Sequence, residues 1–196
     1  MIHDSTTMSE QSCYGLRTGS YGWRHQHWHE TFYPDDLPED WQLGYYANEF
    51  PAVLVPQAYW QAGTGFNLES WLDDVPPHFR FYIEWPAYMD VSSEASCKDE
   101  CRRLGSLLGG VIVQQDRLLE VEWPVYHRQQ IWTPDHYASS GVAIVSLADM
   151  DMRTQRKYLE QFAASTEHPQ CVLVSDADIN IEALRNFKTL IELLGL

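Results

Sequence analysis

Short apolar runs recur along this chain at intervals long enough to hold a helix. That rhythm limits the fold more than any single motif. The runs fall near residues 14–20, 52–55, 79–85, 111–114, 141–147 and 171–175. Most are too short and too continuous to be one-sided strands, and strands buried on both faces have this texture in parallel sheets. Between them lie helical stretches at 38–50, 68–75, 92–108, 153–164 and 181–194, the third stopped by Gly109-Gly110, with one or two helical turns expected at 134–139. The last stretch sets Leu184, Phe187, Leu190, Ile191 and Leu194 on one stripe, as an amphipathic helix requires. Strands alternating with helices predict an α/β domain whose sheet is mainly parallel and covered by helices outside. One junction breaks the rhythm: only Asp116-Arg117 and a few polar neighbours separate the run at 111–114 from Leu118-Leu119-Glu120-Val121-Glu122-Trp123. Parallel neighbours need a crossover of about a dozen residues, so the junction is either one long bent strand or an antiparallel hairpin, and the hairpin is expected.

A chain of 196 residues is enough for one domain with its own core. Residues 1–13 read as a polar tail and 14–196 as that single domain. The formal charge of −15 repels nucleic acid and anionic membranes at long range. No run approaches a membrane span, and the polar start MIHDSTTMSEQS lacks the apolar core of a signal peptide; a cytoplasmic protein is expected. Cys13, Cys97, Cys101 and Cys171 form no C-x-x-C pair and read as ordinary thiols, with no metal role. A Gly-rich phosphate loop, a G-x-S-x-G elbow and an H-E-x-x-H helix are all missing from the sequence, so no cofactor is expected.

Specific strings add to this reading. Arg17-Thr18-Gly19-Ser20-Tyr21-Gly22-Trp23, then His27-Trp28, then Thr31-Phe32-Tyr33-Pro34 form an ordered amino-terminal signature. Trp71, Pro76-Pro77, Phe79-Arg80-Phe81 and Pro86 follow, then Leu104-Gly105, Leu108-Gly109 and Gln114, then Arg128 and Trp132, then Asn186 and Leu190. In these features the chain resembles the YecE-like bacterial family of domains of unknown function. The resemblance implies a TIM-barrel-like fold, here trimmed to about seven strands with fewer helices. It implies no reaction. The chain also departs from the family pattern. Leu54 and Pro56 stand where the pattern has an acid and an amide, Glu84 where it has a lysine, and Phe187 where it has an alanine. The helix after the run at 111–114 looks deleted, as does a strand that in the family ends in Arg-x-His-Gly.

In such a barrel the carboxyl ends of the strands hold the chemistry. Arg128, at one such end, suits a carboxylate or phosphate. Gln114 and Glu84 follow other strands and are candidates for the same mouth, with His27 and Trp23 from the first loop. Glu84 and Glu122 sit in an echoed Glu-Trp-Pro and form a candidate acid–base pair. His25, His27 and His29 alternate and face one side of an extended segment, where they can share a metal; their aromatic neighbours argue for a packed loop instead. The sequence favours a non-catalytic protein of this family that binds a small ligand or a protein partner. The alternative is an enzyme acting on a small anionic substrate around Arg128. A metal-dependent nuclease is disfavoured by the charge and the missing carboxylates. A barrel lacking a strand exposes sheet edges, and a homodimer is one way to cover them.

Overall fold

The computed structural model describes residues 15–60, 68–114 and 118–196. The expected tail at 1–13, with Cys13, lies outside them. Seven strands form one sheet in the order β5-β4-β3-β2-β1-β7-β6. They are β1 (Arg17–Tyr21), β2 (Ala52–Val55), β3 (Arg80–Trp85), β4 (Leu108–Val113), β5 (Val125–His127), β6 (Val142–Val145) and β7 (Cys171–Val174). Every pair of neighbours is parallel. The helices are α1 (Gln42–Ala47), α2 (Gln57–Trp60), α3 (Leu68–Asp74), α4 (Val91–Leu104), α5 (Met152–Ser165) and α6 (Ile181–Leu194). Strands β2, β6 and β7 are buried at every residue, which is why they read as unbroken apolar runs.

The sheet curls into a TIM-barrel-like form, and its two faces build separate cores. Val53, Val55, Phe81, Ile83, Val111, Val113, Val172 and Val174 meet the helices on the outside. The alternate residues Leu54, Tyr82, Ile112, Tyr126, Ile144 and Leu173 gather on the inside with Ile131 and Cys171. Both ends of the strand order contribute to this inner cluster, so the curl brings β5 and β6 towards one interior. Those two strands do not pair. The chain leaving β5 makes a 3-10 turn at Arg128–Gln130 and then bridges Trp132 to Ala143 of β6. Trp132 N–H donates to Val142 O at 3.1 Å, and Ile144 N–H to Trp132 O at 2.9 Å. One broken segment thus serves β4 before its break and β6 after it.

The expected hairpin is not there: β4 and β5 are parallel. Leu118-Leu119-Glu120-Val121-Glu122-Trp123 is a strap rather than a strand. Leu119 is buried and Val121 and Trp123 pack against the outer core, while Glu120 and Glu122 are exposed. Half-burial of an extended strap gives the same alternation as a strand, and the residues that do pair begin at Val125. The strap takes the place of the missing crossover helix. No helix forms at 134–139 either. Thr133 and His136 exchange backbone hydrogen bonds at 2.8 and 3.0 Å around Pro134-Asp135, a tight turn. Gly109-Gly110, expected to stop α4, lies inside β4 at a register irregularity. A Cβ at Gly109 would meet the Tyr82 ring at 2.8 Å, and one at Gly110 the Tyr126 ring at 2.4 Å. Helix α4 stops earlier, at Gly105 with φ 55°, the left-handed side that favours glycine.

Helix starts follow ordinary capping chemistry. Asp90 caps α4 through the Ser92 and Ser93 amides, Asp151 caps α5, and Asn180 caps α6. The inner cluster has a measurable signature. Burial pushes the Cys171 thiol up to about 12, the Tyr126 phenol up to about 12, and Tyr82 well above its usual range. The folded state therefore favours the protonated forms, and their contribution to stability is complete below the unfolded thiol value of about 8.5 and fades as pH rises past it and past the unfolded tyrosine value of about 10. Chemical denaturation is expected to show stability falling from neutral to alkaline pH. Phenolate absorbance of the buried tyrosines should emerge together with loss of far-ultraviolet ellipticity. A smooth tyrosine titration near the ordinary value with the fold intact would contradict the buried assignment.

Candidate functional site

Side chains that point inward at the carboxyl ends of β1, β3 and β4 converge. Arg17, Gly19 and Tyr21 alternate with Thr18 and Ser20, which turn outward: Thr18 Oγ1 donates to Val172 O at 3.0 Å, and Ser20 Oγ lies 2.9 Å from Tyr46 Oη. Tyr21 thereby reaches the mouth at the end of β1. Its hydroxyl donates to Glu84 Oε2 at 2.6 Å. The same oxygen accepts the Gln57 amide at 3.0 Å, and Gln114 Nε2 donates to Glu84 Oε1 at 2.9 Å. Trp60 Nε1 holds the Glu84 carbonyl at 3.1 Å. Glu84 is thus a half-buried carboxylate fixed by three neutral donors from three elements. Burial, the bond to Glu84 and its charge raise the Tyr21 pKa, and the nearby Arg128 cation opposes the shift. Tyr21 stays a hydrogen-bond donor at neutral pH.

Gln114, which holds this carboxylate, also walls a cleft of about 570 Å³. Its walls include Gln114, His127, Arg128, Gln129 and Thr133. The volume is within the usual range of about 300–1,000 Å³ for small-molecule sites. Among the described residues no acidic side chain lines it, although the chain carries 28 acids. Arg128 sits in the break of the closing segment, where the 3-10 turn replaces pairing. Its side chain is exposed and forms no ion pair or hydrogen bond among the described residues.

The structure brings together Arg128, Gln114 and Glu84 of the residues singled out in the sequence. His27 and Trp23 are placed elsewhere. His27 Nε2 lies 2.8 Å from Ile179 O, a carbonyl that also accepts from Trp28 Nε1 at 2.7 Å; this ties the loop after β1 to the loop after β7. Trp23 is 1% exposed and packs edge-on against Trp71 and Tyr59 at 4.8 and 4.9 Å, as part of the outer core. His25 Nε2 contacts Tyr21 O at 3.1 Å with its ring 5.5 Å from that of His27, and the His29 ring lies 6.3 Å from that of Tyr33. Among the described residues no three His, Cys, Asp or Glu side chains group as a metal site. Glu122 precedes β5, at the amino side of the sheet, so it and Glu84 stand at opposite ends and make no acid–base pair. Leu54 pairs in register with Tyr82 inside the sheet, and buried Pro56 follows at the level of Glu84. The positions where the family resemblance expects an acid and an amide are therefore apolar. Tyr21, the member that sequence reasoning left out, was marked only by its parity with Arg17 and Gly19.

A family model described as "Protein of unknown function DUF72" matches residues 17–116, slightly over half of the chain. The chain belongs to the DUF72 family. Its fold resembles that of a DUF72 family protein from Thermotoga maritima MSB8, with a TM-score of 0.62 at 12% identity over 91% of this chain and 100% of that one. It also resembles a DUF72 family protein from Enterococcus faecalis V583, with a TM-score of 0.57 at 11% identity over 93% of this chain and 99% of that one. At such identities the likeness concerns the fold. No curated protein matches the chain. Among the described residues no helix is long and apolar enough to cross a membrane.

Proposed function

We propose that this DUF72 protein recognises a small anionic ligand at the carboxyl-end mouth, through Arg128 and without covalent chemistry. The observation that carries the reading is a guanidinium with no acidic partner among the described residues, in a chain of charge −15, lining a cleft whose described walls hold no carboxylate. In such a chain an exposed arginine readily finds an acid, and one kept from doing so is available to a ligand carboxylate or phosphate in bidentate geometry. Binding is favoured over catalysis because the nucleophiles are spent or hidden. Ser20 is buried outside the curl and bonded to Gly22 O at 2.6 Å. Cys171 is buried inside it with a raised pKa. Tyr21 is held protonated, and three donors already occupy Glu84.

Calorimetric titration with acetate, butyrate and inorganic phosphate tests this. Removing one bidentate guanidinium contact is expected to weaken anion binding by about 10- to 100-fold in Arg128→Ala, with the melting temperature little changed because the side chain is exposed. Anion binding of equal strength in the variant would overturn the assignment. Slow conversion of a bound anion, followed by NMR, would instead favour an enzyme.

A further inference from the structure

Glu84 and Arg128 carry opposite charges at one mouth, yet the fold keeps them apart. Glu84 is restrained by Tyr21, the Gln57 amide and Gln114, and Arg128 is set on a separate turn. Gln114 joins the two halves: it bonds Glu84 through Nε2 and also walls the cleft with Arg128. A carboxylate offers about four lone-pair sites, so three donors leave one acceptor site on Glu84. A fixed anion with spare accepting capacity, linked through Gln114 to the cleft that Arg128 lines, suits a ligand with complementary ends.

Resting on the anion reading above, we infer that the ligand is a short monocarboxylate that carries a hydroxyl or ammonium donor away from its carboxylate. Its carboxylate pairs with Arg128, and its donor fills the vacant acceptor site of Glu84. A single guanidinium matches one carboxylate, and the charge of −15 penalises a dianion more heavily than a monoanion. A methyl group in place of the donor would desolvate Glu84 without repayment, and sites built to hydrogen-bond a ligand reject analogues that cannot respond.

The test compares matched probes on the intact protein by calorimetry: acetate with glycolate and glycine, and butyrate with γ-hydroxybutyrate and γ-aminobutyrate. At the length that spans the mouth, the donor-bearing probe is expected to bind about ten-fold more tightly than its parent, the weight of one charge-assisted hydrogen bond. A preference for ammonium over hydroxyl marks charge pairing with Glu84; the reverse marks a neutral hydrogen bond. Glu84→Gln, checked for folding by circular dichroism, is expected to erase the preference of the donor-bearing probe over its parent. The wild-type comparison needs no variant and decides the matter even where Glu84→Gln fails to fold. Parents that bind as well as donor-bearing probes at both lengths overturn this inference and leave the anion site standing. Absence of binding by every probe, or binding indifferent to Arg128→Ala, overturns both.

Discussion

Gly19→Ala is expected to destabilise the domain by about 3–5 kcal/mol, combining overpacking with the loss of a buried polar bridge. A methyl built on Gly19 would stand 1.8 Å from the Ala52 carbonyl oxygen and 3.1 Å from Tyr46 Oη. The first neighbour is backbone of the adjoining strand, paired in register with Gly19 itself, and it cannot step aside without moving β2. The second is the centre of a buried network. Tyr46 Oη accepts the Ser20 amide at 2.9 Å and donates to Ala52 O at 2.9 Å, so one phenol links β1 and β2 from the helix layer. Displacing Ala52 breaks that link and leaves buried donors and acceptors to pay for their desolvation. For a domain of this size the loss corresponds to a fall in melting temperature of roughly 10 °C. Thermal unfolding followed by circular dichroism reads it directly; a shift under about 2 °C would mean that β2 moves freely, contrary to the packing described.

The same glycine shows where sequence reasoning reaches and where it stops. A string such as Arg17-Thr18-Gly19-Ser20-Tyr21 marks a strand and a family, and the strands buried on both faces were legible because parallel sheets demand continuous apolar runs. The reason for a glycine at 19 is a long-range contact with Ala52, which no local pattern encodes. The β4–β5 junction misled for a related reason. Leu119, Val121 and Trp123 alternate as a strand would, while Val125-Tyr126-His127 is too short to announce itself beside them. Gly109-Gly110 looks like a helix stop, because nothing nearby signals that the Tyr82 and Tyr126 rings need the space. At the mouth, Glu84, Gln114 and Arg128 were legible as polar residues at strand ends. His27 and Trp23 came from the same aromatic string, and composition alone does not tell a packed ring from a lining one. Tyr21 needed the parity of β1, which the outward bonds of Thr18 and Ser20 settle only in three dimensions.

The seam between β5 and β6 makes the second large effect. Trp132 is fully buried, with Phe162, Tyr137 and Tyr158 around it at ring separations of 5.6, 5.8 and 6.2 Å. Trp132→Ala is expected to cost about 3–5 kcal/mol, the usual range for emptying a buried tryptophan site. One term runs the other way. Trp132 Nε1 is buried with no hydrogen-bond partner among the described residues, and removing an orphaned donor returns about 1–3 kcal/mol. The control that separates the two is Trp132→Phe, which keeps most of the ring contact and loses the orphan; it is expected to lie within about 1 kcal/mol of the native protein, because its smaller cavity and the relieved donor nearly cancel. Hydrogen exchange adds a local readout. The amides of Trp132 and Ile144 form the bridge across the seam, and in Trp132→Ala they should lose protection before Val172 in β7, which is paired on both sides, since local opening follows lost packing. Arg128 stands on the turn that leads into this bridge, so anion binding should weaken in Trp132→Ala and persist in Trp132→Phe. Equal loss of protection across β6 and β7, with anion binding intact, would show that the turn holds its shape without the bridge and that the mouth does not depend on the seam.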